Sequence, residues 1–217
     1  MREAVLALFP AGVAGAELTD FALAGPLWPG EQQVVARAVH KRVAEFTAGR
    51  HVARLALAAL GESPVAIPRR ADRAPEWPVG IAGSISHCAG YCGAVVGRSA
   101  ALRGLGLDVE PAGSVRPALW SQLARPGEIE AGGGAADPGW ATVLFSGKEA
   151  FYKAQHAITQ SWVGFRDVEL RRVDARHFEI VATADTPPQV AALLPARGAY
   201  LVGSTHVFTA FAFSAIP

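Results

Sequence analysis

Two short runs constrain this chain more than any other feature. One is Gly104-Leu105-Gly106-Leu107-Asp108-Val109-Glu110 and the other is Phe145-Ser146-Gly147-Lys148-Glu149-Ala150-Phe151-Tyr152-Lys153-Ala154. The first reads as an apolar strand with acids at i and i+2, so Asp108 and Glu110 point to one face. The second has helical spacing and sets Glu149 and Lys153 one turn apart on one face. Together they bracket one site. Three acids and a lysine on two rigid elements suit a magnesium ion holding a phosphorylated substrate, because a hard cation takes oxygen ligands. Each run also has an ordinary alternative. A D-x-E pair at a strand end is usually two solvated side chains, and a Glu–Lys pair at i,i+4 is usually a surface pair worth about 0.2–0.5 kcal/mol.

The rest of the chain supplies elements around these runs. Val5 to Phe9 reads as a buried strand. Glu31 to Phe46 has helical periodicity, and Thr47 is placed to cap a second helix from Ala48 to Leu60 that stops at Gly61. Ser63 to Pro78 is rich in Pro and Arg and reads as loop. Gly80 to Ser86 and Tyr91 to Val96 form a hairpin. Arg98 to Arg103 is a short link and the expected boundary between two parts. Leu105 to Glu110 is the next strand, Arg116 to Leu123 is helical, and Ala131 to Gly139 is a flexible loop. Trp140 to Ile158 is the clearest helix. Val168 to Val173, Phe178 to Ala182, Tyr200 to Ser204 and Val207 to Ser214 read as strands.

Bulk properties exclude several classes. Apolar residues make up 51% and charged residues 18%, too apolar a mixture for disorder. The net charge of +1 gives no general field for nucleic acid, so an anion must be held by local clusters. The first ten residues carry Arg2 and Glu3 and are not read as a secretory signal. No uninterrupted apolar run reaches membrane-spanning length. Cys88 and Cys92 are too few for a disulfide framework, and a cytoplasmic protein is the default expectation. With His87 they form one C-x-x-x-C without a second pair, short of the four ligands of a zinc site.

A family resemblance appears at these residues. The pattern Gly106-Leu107-Asp108-Val109-Glu110, the run from Phe145 to Lys153, and Trp77-Pro78 followed by Gly83-Ser84-Ile85-Ser86-His87 stand in order. They resemble the motifs of 4′-phosphopantetheinyl transferases of the surfactin-synthetase (Sfp-like) and enterobactin-synthase-component-D type. Matching positions span about Arg42 to Lys153. Gly147 departs from the Ala usual in its slot, at a cost in helix propensity near the expected helix start.

The resemblance implies an α+β fold of two similar α/β halves related by a pseudo-two-fold, each a small antiparallel sheet packed with helices. Residues 1–101 would supply the coenzyme A phosphate contacts and residues 102–217 the magnesium-binding and catalytic part. It implies Mg²⁺ held by Asp108, Glu110 and Glu149, with coenzyme A as co-substrate. Arg42, Arg50, Arg69, Arg70, Ser86, His87, Asp108, Lys148 and Lys153 would meet that co-substrate. Glu149, Lys153 and Asp108 would be catalytic, with Glu149 as base or metal ligand. The reaction implied is transfer of the 4′-phosphopantetheine arm to a serine of an apo acyl or peptidyl carrier protein by a monomer, without nucleic acid or membrane partners. The polyketide, nonribosomal peptide, siderophore and fatty-acid carriers all stay open. A magnesium-dependent phosphohydrolase acting on coenzyme A would use the same acids. A non-catalytic coenzyme-A-binding module would not need the acids together with Lys153.

Overall fold

The computed structural model describes residues 1–134 and 137–215. In chain order it contains α1 (Glu3–Leu6), β1 (Ala14–Leu18), α2 (His40–Ala59), β2 (Ile81–Cys88), β3 (Tyr91–Arg98), β4 (Leu102–Pro111), α3 (Trp120–Leu123), α4 (Glu128–Ala131) and α5 (Pro138–Thr159). After these come β5 (Val168–Arg172), β6 (His177–Ala182), α6 (Pro188–Ala191), β7 (Ala196–Val202) and β8 (His206–Ser214). The strands form two antiparallel sheets, a three-stranded one ordered β1-β3-β2 and a five-stranded one ordered β4-β8-β7-β6-β5. A long helix, α2 or α5, packs on each sheet. The α+β class expected from sequence is therefore the class observed.

Glycine sets how closely α5 lies on the larger sheet. A Cβ on Gly104 would sit 2.2 Å from the carbonyl oxygen of Ala154, and one on Gly106 would sit 1.8 Å from that of Ala150. Only glycine lets a helix backbone touch a strand backbone in this way. Because side chains alternate, Gly104, Gly106, Asp108 and Glu110 share the face turned to α5, while Leu105, Leu107 and Val109 are buried in an apolar core on the other face. That core also takes Val5, Phe9, Tyr91, Val95 and Phe208, so it joins both sheets. Gly147 belongs to the same logic. It lies well inside α5, and a Cβ there would meet Leu170 at 2.7 Å and Phe178 at 3.1 Å. The departure from Ala makes room for the sheet; it does not loosen a helix end.

β2 and β4 are edge strands, and serine hydroxyls join them. Ser84 Oγ accepts from Leu107 N–H at 3.0 Å and Ser86 Oγ accepts from Val109 N–H at 3.2 Å. These hydroxyls satisfy amides that an edge strand otherwise leaves open. The loop from Gly61 to Gly80 is tied down by buried charge. Glu31, fully buried, accepts from Arg54 at 2.8 Å, Trp28 N–H at 2.8 Å and Ile67 N–H at 2.9 Å. Trp77 closes the loop by lying over Gly83, where a Cβ would be 2.6 Å from the indole.

Several sequence expectations are corrected. Val5 to Phe9 is no strand; Val5 and Phe9 are buried from α1 and the turn after it, an ambiguity short apolar runs carry. Glu31 to Phe46 is a 3-10 turn at Gln32–Val35 and then the start of α2. Thr47 caps nothing. It lies inside α2 and donates to Val43 O at 2.7 Å. Of the expected loop from Ala131 to Gly139, Ala131 ends α4, residues 135 and 136 lie outside the described residues, and α5 begins at Pro138. β1 had no signal beyond a five-residue stretch of small residues.

Gly106→Ala is expected to destabilise the protein by more than about 3 kcal/mol, the upper range for overpacking. Gly30→Ala, at φ +89° with open space around it, should cost about 1–2 kcal/mol. Urea midpoints of the two variants check this; equal losses would mean that α5 does not rest on Gly106.

Candidate active site

Asp108 lies at the junction of both sheets and α5, with 4% of its surface exposed. Its Oδ1 accepts from Lys153 Nζ at 2.6 Å and from Ser86 Oγ at 2.9 Å, and its Oδ2 accepts from Ser146 Oγ at 2.8 Å. Lys153 also donates to Leu107 O at 3.1 Å and lies 3.3 Å from Ser86 Oγ. Residues from the G-S-x-S-H, G-x-D-x-E and F-S-x-K-E runs thus meet around one carboxylate. The spacing explains it. β4 offers a carboxylate every second residue, α5 offers Ser146, Glu149 and Lys153 along one side, and β2 offers a serine every second residue.

Charge in this cluster is unbalanced. Glu110 is raised to about 7 by burial, with Asp108 and Glu149 adding to the effect and Lys153 opposing it. Glu149 is raised by burial, with Asp108 reinforcing and Lys153 opposing. Three acids therefore share one lysine in a partly desolvated place. Each remaining member of the cluster opens onto a different hollow. Lys153 lines a cleft of about 490 Å³ between the loop Arg70–Trp77, the start of β2, Arg103 and the last turns of α5. Glu110 lines one of about 520 Å³ with His87, Lys41 and Ser114. Glu149 lines an apolar pocket of about 250 Å³ walled by Tyr152, Trp162, Val163 and Phe165.

The basic residues divide. His87 Nε2 is 3.3 Å from Arg42 Nη1, and Arg42 is also 3.6 Å from Glu45. Burial pushes the His87 imidazole below its ordinary range, with Arg42 and Lys153 adding to this and Glu45 and Asp108 opposing it. Arg69 is exposed on the loop, and Arg70 reaches Gln160, just past the end of α5, at 3.4 Å.

Two expected coenzyme A contacts are placed otherwise. Arg50 is 5% exposed, stacks on Phe46 at 4.1 Å and donates to the carbonyls of Ile67 at 2.5 Å and Pro68 at 3.4 Å. Burial lowers it to about 10, and its hydrogen bonds hold the loop that carries Arg69 and Arg70. Lys148 is 3% exposed and donates to Glu128 at 2.8 Å, Phe165 O at 2.7 Å and Leu123 O at 3.2 Å. Its three protons are used, so it has none left for a phosphate. Sequence reading gave Ser146 no role of its own and passed over Ser84, Glu128 and Thr209. Ser146 stands inside a motif and was findable; Thr209 is one hydroxyl in the apolar run Val207-Phe208-Thr209-Ala210-Phe211.

Two family profiles match successive parts of the chain. Residues 30–97 match the profile of the 4′-phosphopantetheinyl transferase N-terminal domain, and residues 104–203 match that of the 4′-phosphopantetheinyl transferase superfamily. The chain is 33% identical to the 4′-phosphopantetheinyl transferase Npt of Nocardia iowensis over 227 residues, covering 95% of this chain and 98% of that one. It is 41% identical to PptT of Mycobacterium tuberculosis over 145 residues, 65% of this chain and 63% of the relative. It is 35% identical to enterobactin synthase component D of Escherichia coli over 152 residues, 66% and 68% of the two chains. With that coverage the chain belongs to the 4′-phosphopantetheinyl transferases, enzymes that move the phosphopantetheine group of coenzyme A onto carrier proteins.

Proposed function

We propose that the Asp108 junction is the reaction centre of this transfer and that it works with Mg²⁺. The observation that carries the reading is the shared charge: Asp108 pairs with Lys153 at 2.6 Å, and Glu110 and Glu149 are close enough for its charge and that of Asp108 to act on both, burial raising the two. Among the described residues no three His, Cys, Asp or Glu side chains form a ready-made metal cage. Magnesium needs no such cage, since it is commonly held by one or two carboxylates together with substrate phosphates. The donor set fits: three hard oxygen ligands with surplus negative charge, on a strand and a helix fixed by backbone contact. When bound, the ion supplies positive charge to the pyrophosphate.

The protein groups divide the remaining work. The cleft between the halves, with Trp77 and Ile81 for an apolar floor and Arg70, Arg73 and Arg103 at its rim, suits the nucleotide of coenzyme A. Its place supports the reading of residues 1–101 and 102–217 as two halves with the co-substrate across the Arg98–Arg103 link. Arg42 and His87 take the 3′-phosphate, with Arg69 nearby on the loop; a bound phosphate raises the depressed imidazole toward its charged form. Ser86 and Lys153 hold phosphate oxygens and the Asp108 carboxylate together. The apolar pocket beside Glu149 takes the uncharged arm. Glu149, raised by its surroundings, accepts the proton of the carrier serine as that hydroxyl attacks the β-phosphorus. The P–O bond to adenosine 3′,5′-bisphosphate breaks, and Lys153 neutralises charge on the phosphoryl oxygens. Both halves are in one chain, so we read a monomer acting in the cytoplasm on an acyl or peptidyl carrier.

Incubation of apo-carrier domains with coenzyme A and Mg²⁺ should add the mass of one phosphopantetheine to a serine. Free phosphopantetheine with unmodified carrier would identify a phosphohydrolase instead. Asp108→Ala should slow transfer at least about a hundredfold, with circular dichroism near that of the parent. Near-parental transfer at limiting Mg²⁺ would remove Asp108 from the centre. His87→Ala should weaken coenzyme A about 10- to 100-fold, the loss of a charge-assisted hydrogen bond, and weaken 3′-dephospho-coenzyme A much less. Calorimetric titration of both ligands decides it, and equal losses would place His87 away from the 3′-phosphate.

A further inference from the structure

Asp108 is fixed on its second oxygen by a route the reaction does not use. Thr209 faces Asp108 across the β4–β8 ladder. Its Oγ1 donates to Ser146 O at 2.8 Å and also lies 2.8 Å from Ser146 Oγ, and Ser146 Oγ donates to Asp108 Oδ2 at 2.8 Å. Thr209 and Ser146 are fully buried. Ser146 has one proton, and the carboxylate is the strongest acceptor within reach, because hydrogen bonds to ionised groups are about twice as strong as neutral ones. Its lone pairs then face the Thr209 hydroxyl, whose own proton goes to Ser146 O. Thr209 thus fixes Ser146 through its carbonyl, and Ser146 fixes Asp108 through its hydroxyl. The residue type is also out of place. Thr209 puts a hydroxyl among Phe208, Ala210 and Phe211, where an apolar β-branched side chain would carry no polar group to satisfy. It lies beyond residue 203, where the superfamily match ends.

We propose that Thr209 and Ser146 are positioning residues: their directed hydrogen bonds pin Asp108 Oδ2 and so turn Oδ1 toward Lys153 and the substrate. The proposal rests on the reading of Asp108 as part of the reaction centre. Without those hydrogen bonds the carboxylate is held only at Oδ1, by Lys153 and Ser86, and its terminal torsion, whose wells are broad, is less narrowly set.

The test uses the full-length protein with Thr209→Val, which keeps the shape and removes the hydroxyl, and Thr209→Ser, which keeps the hydroxyl. Coenzyme A is titrated calorimetrically with and without Mg²⁺, and transfer is measured for each variant in the parent and in an Asp108→Asn background. Thr209→Val should leave metal-free coenzyme A affinity unchanged, reduce the Mg²⁺-dependent gain about tenfold and slow transfer about tenfold. Thr209→Ser should restore both, and Thr209→Val should change nothing further in Asp108→Asn. Equal slowing in the two backgrounds, or a Thr209→Ser variant as impaired as Thr209→Val, overturns the proposal by making the effect one of packing. A parent protein whose coenzyme A affinity ignores Mg²⁺ would instead remove the metal reading, and the rate comparison in the two backgrounds still decides on the positioning role. If Thr209→Val does not fold, Ser146→Ala, at a helix position alanine favours, puts the same question.

Discussion

The contact between the backbones of β4 and α5 is what the remaining structure depends on. With no side chain at Gly104 or Gly106, the carbonyls of Ala154 and Ala150 come against the strand. Two residues further along the same face the strand changes from glycine to acid. The helix is by then so near that its own side chains, Ser146 and Lys153, reach the acid within 2.8 Å. A strand and helix separated by an ordinary layer of side chains, about 10 Å apart, would leave Asp108 and Lys153 to meet through water. The glycines therefore set the length scale of the chemistry without touching any reactant.

The serine seam acts at right angles to that contact. It links β2 to β4 through hydroxyls, and Ser86 uses the same oxygen to accept from Val109 N–H and donate to Asp108. A residue that joins the two sheets thus also orients the acid. Any shift of one sheet against the other is felt directly at the carboxylate. Lys148 and Glu128 play a comparable part behind the site. Their buried pair ties the segment around Leu123–Glu128 and the middle of β5 at Leu170 to the helix that carries Glu149. Such a pair adds little net stability, but breaking it strands a charge, so these segments keep fixed positions around the apolar pocket.

What sequence made legible was the strand and the helix that carry Asp108, Glu110, Glu149 and Lys153, and the meeting of Asp108 with Lys153, because period-2 and period-3.6 spacing act locally. The hairpin of β2 and β3 and the strands of the second sheet were legible for the same reason. The fates of Arg50 and Lys148 were not. Both look like phosphate ligands by type and motif, but their partners, Ile67, Pro68, Glu128 and Phe165, lie 17 to 20 residues away, where no spacing rule reaches. The break before α2 was hidden as well, since Ala36 to Val39 contain neither Gly nor Pro. The role of the Gly104-x-Gly106 pair lay in plain view but needed the helix beside it to be understood.

Two sheets have four edges, and the seam between β2 and β4 occupies two of them. The edges left are β1 and β5, each five residues long. β5 carries Glu169, Arg171 and Arg172, whose charges oppose the approach of another strand. β1 is brief and composed largely of small residues. A molecule assembled around long strands thus offers foreign chains only short or charged borders, and the hydroxyls that orient its acid also remove the two borders best suited to aggregation.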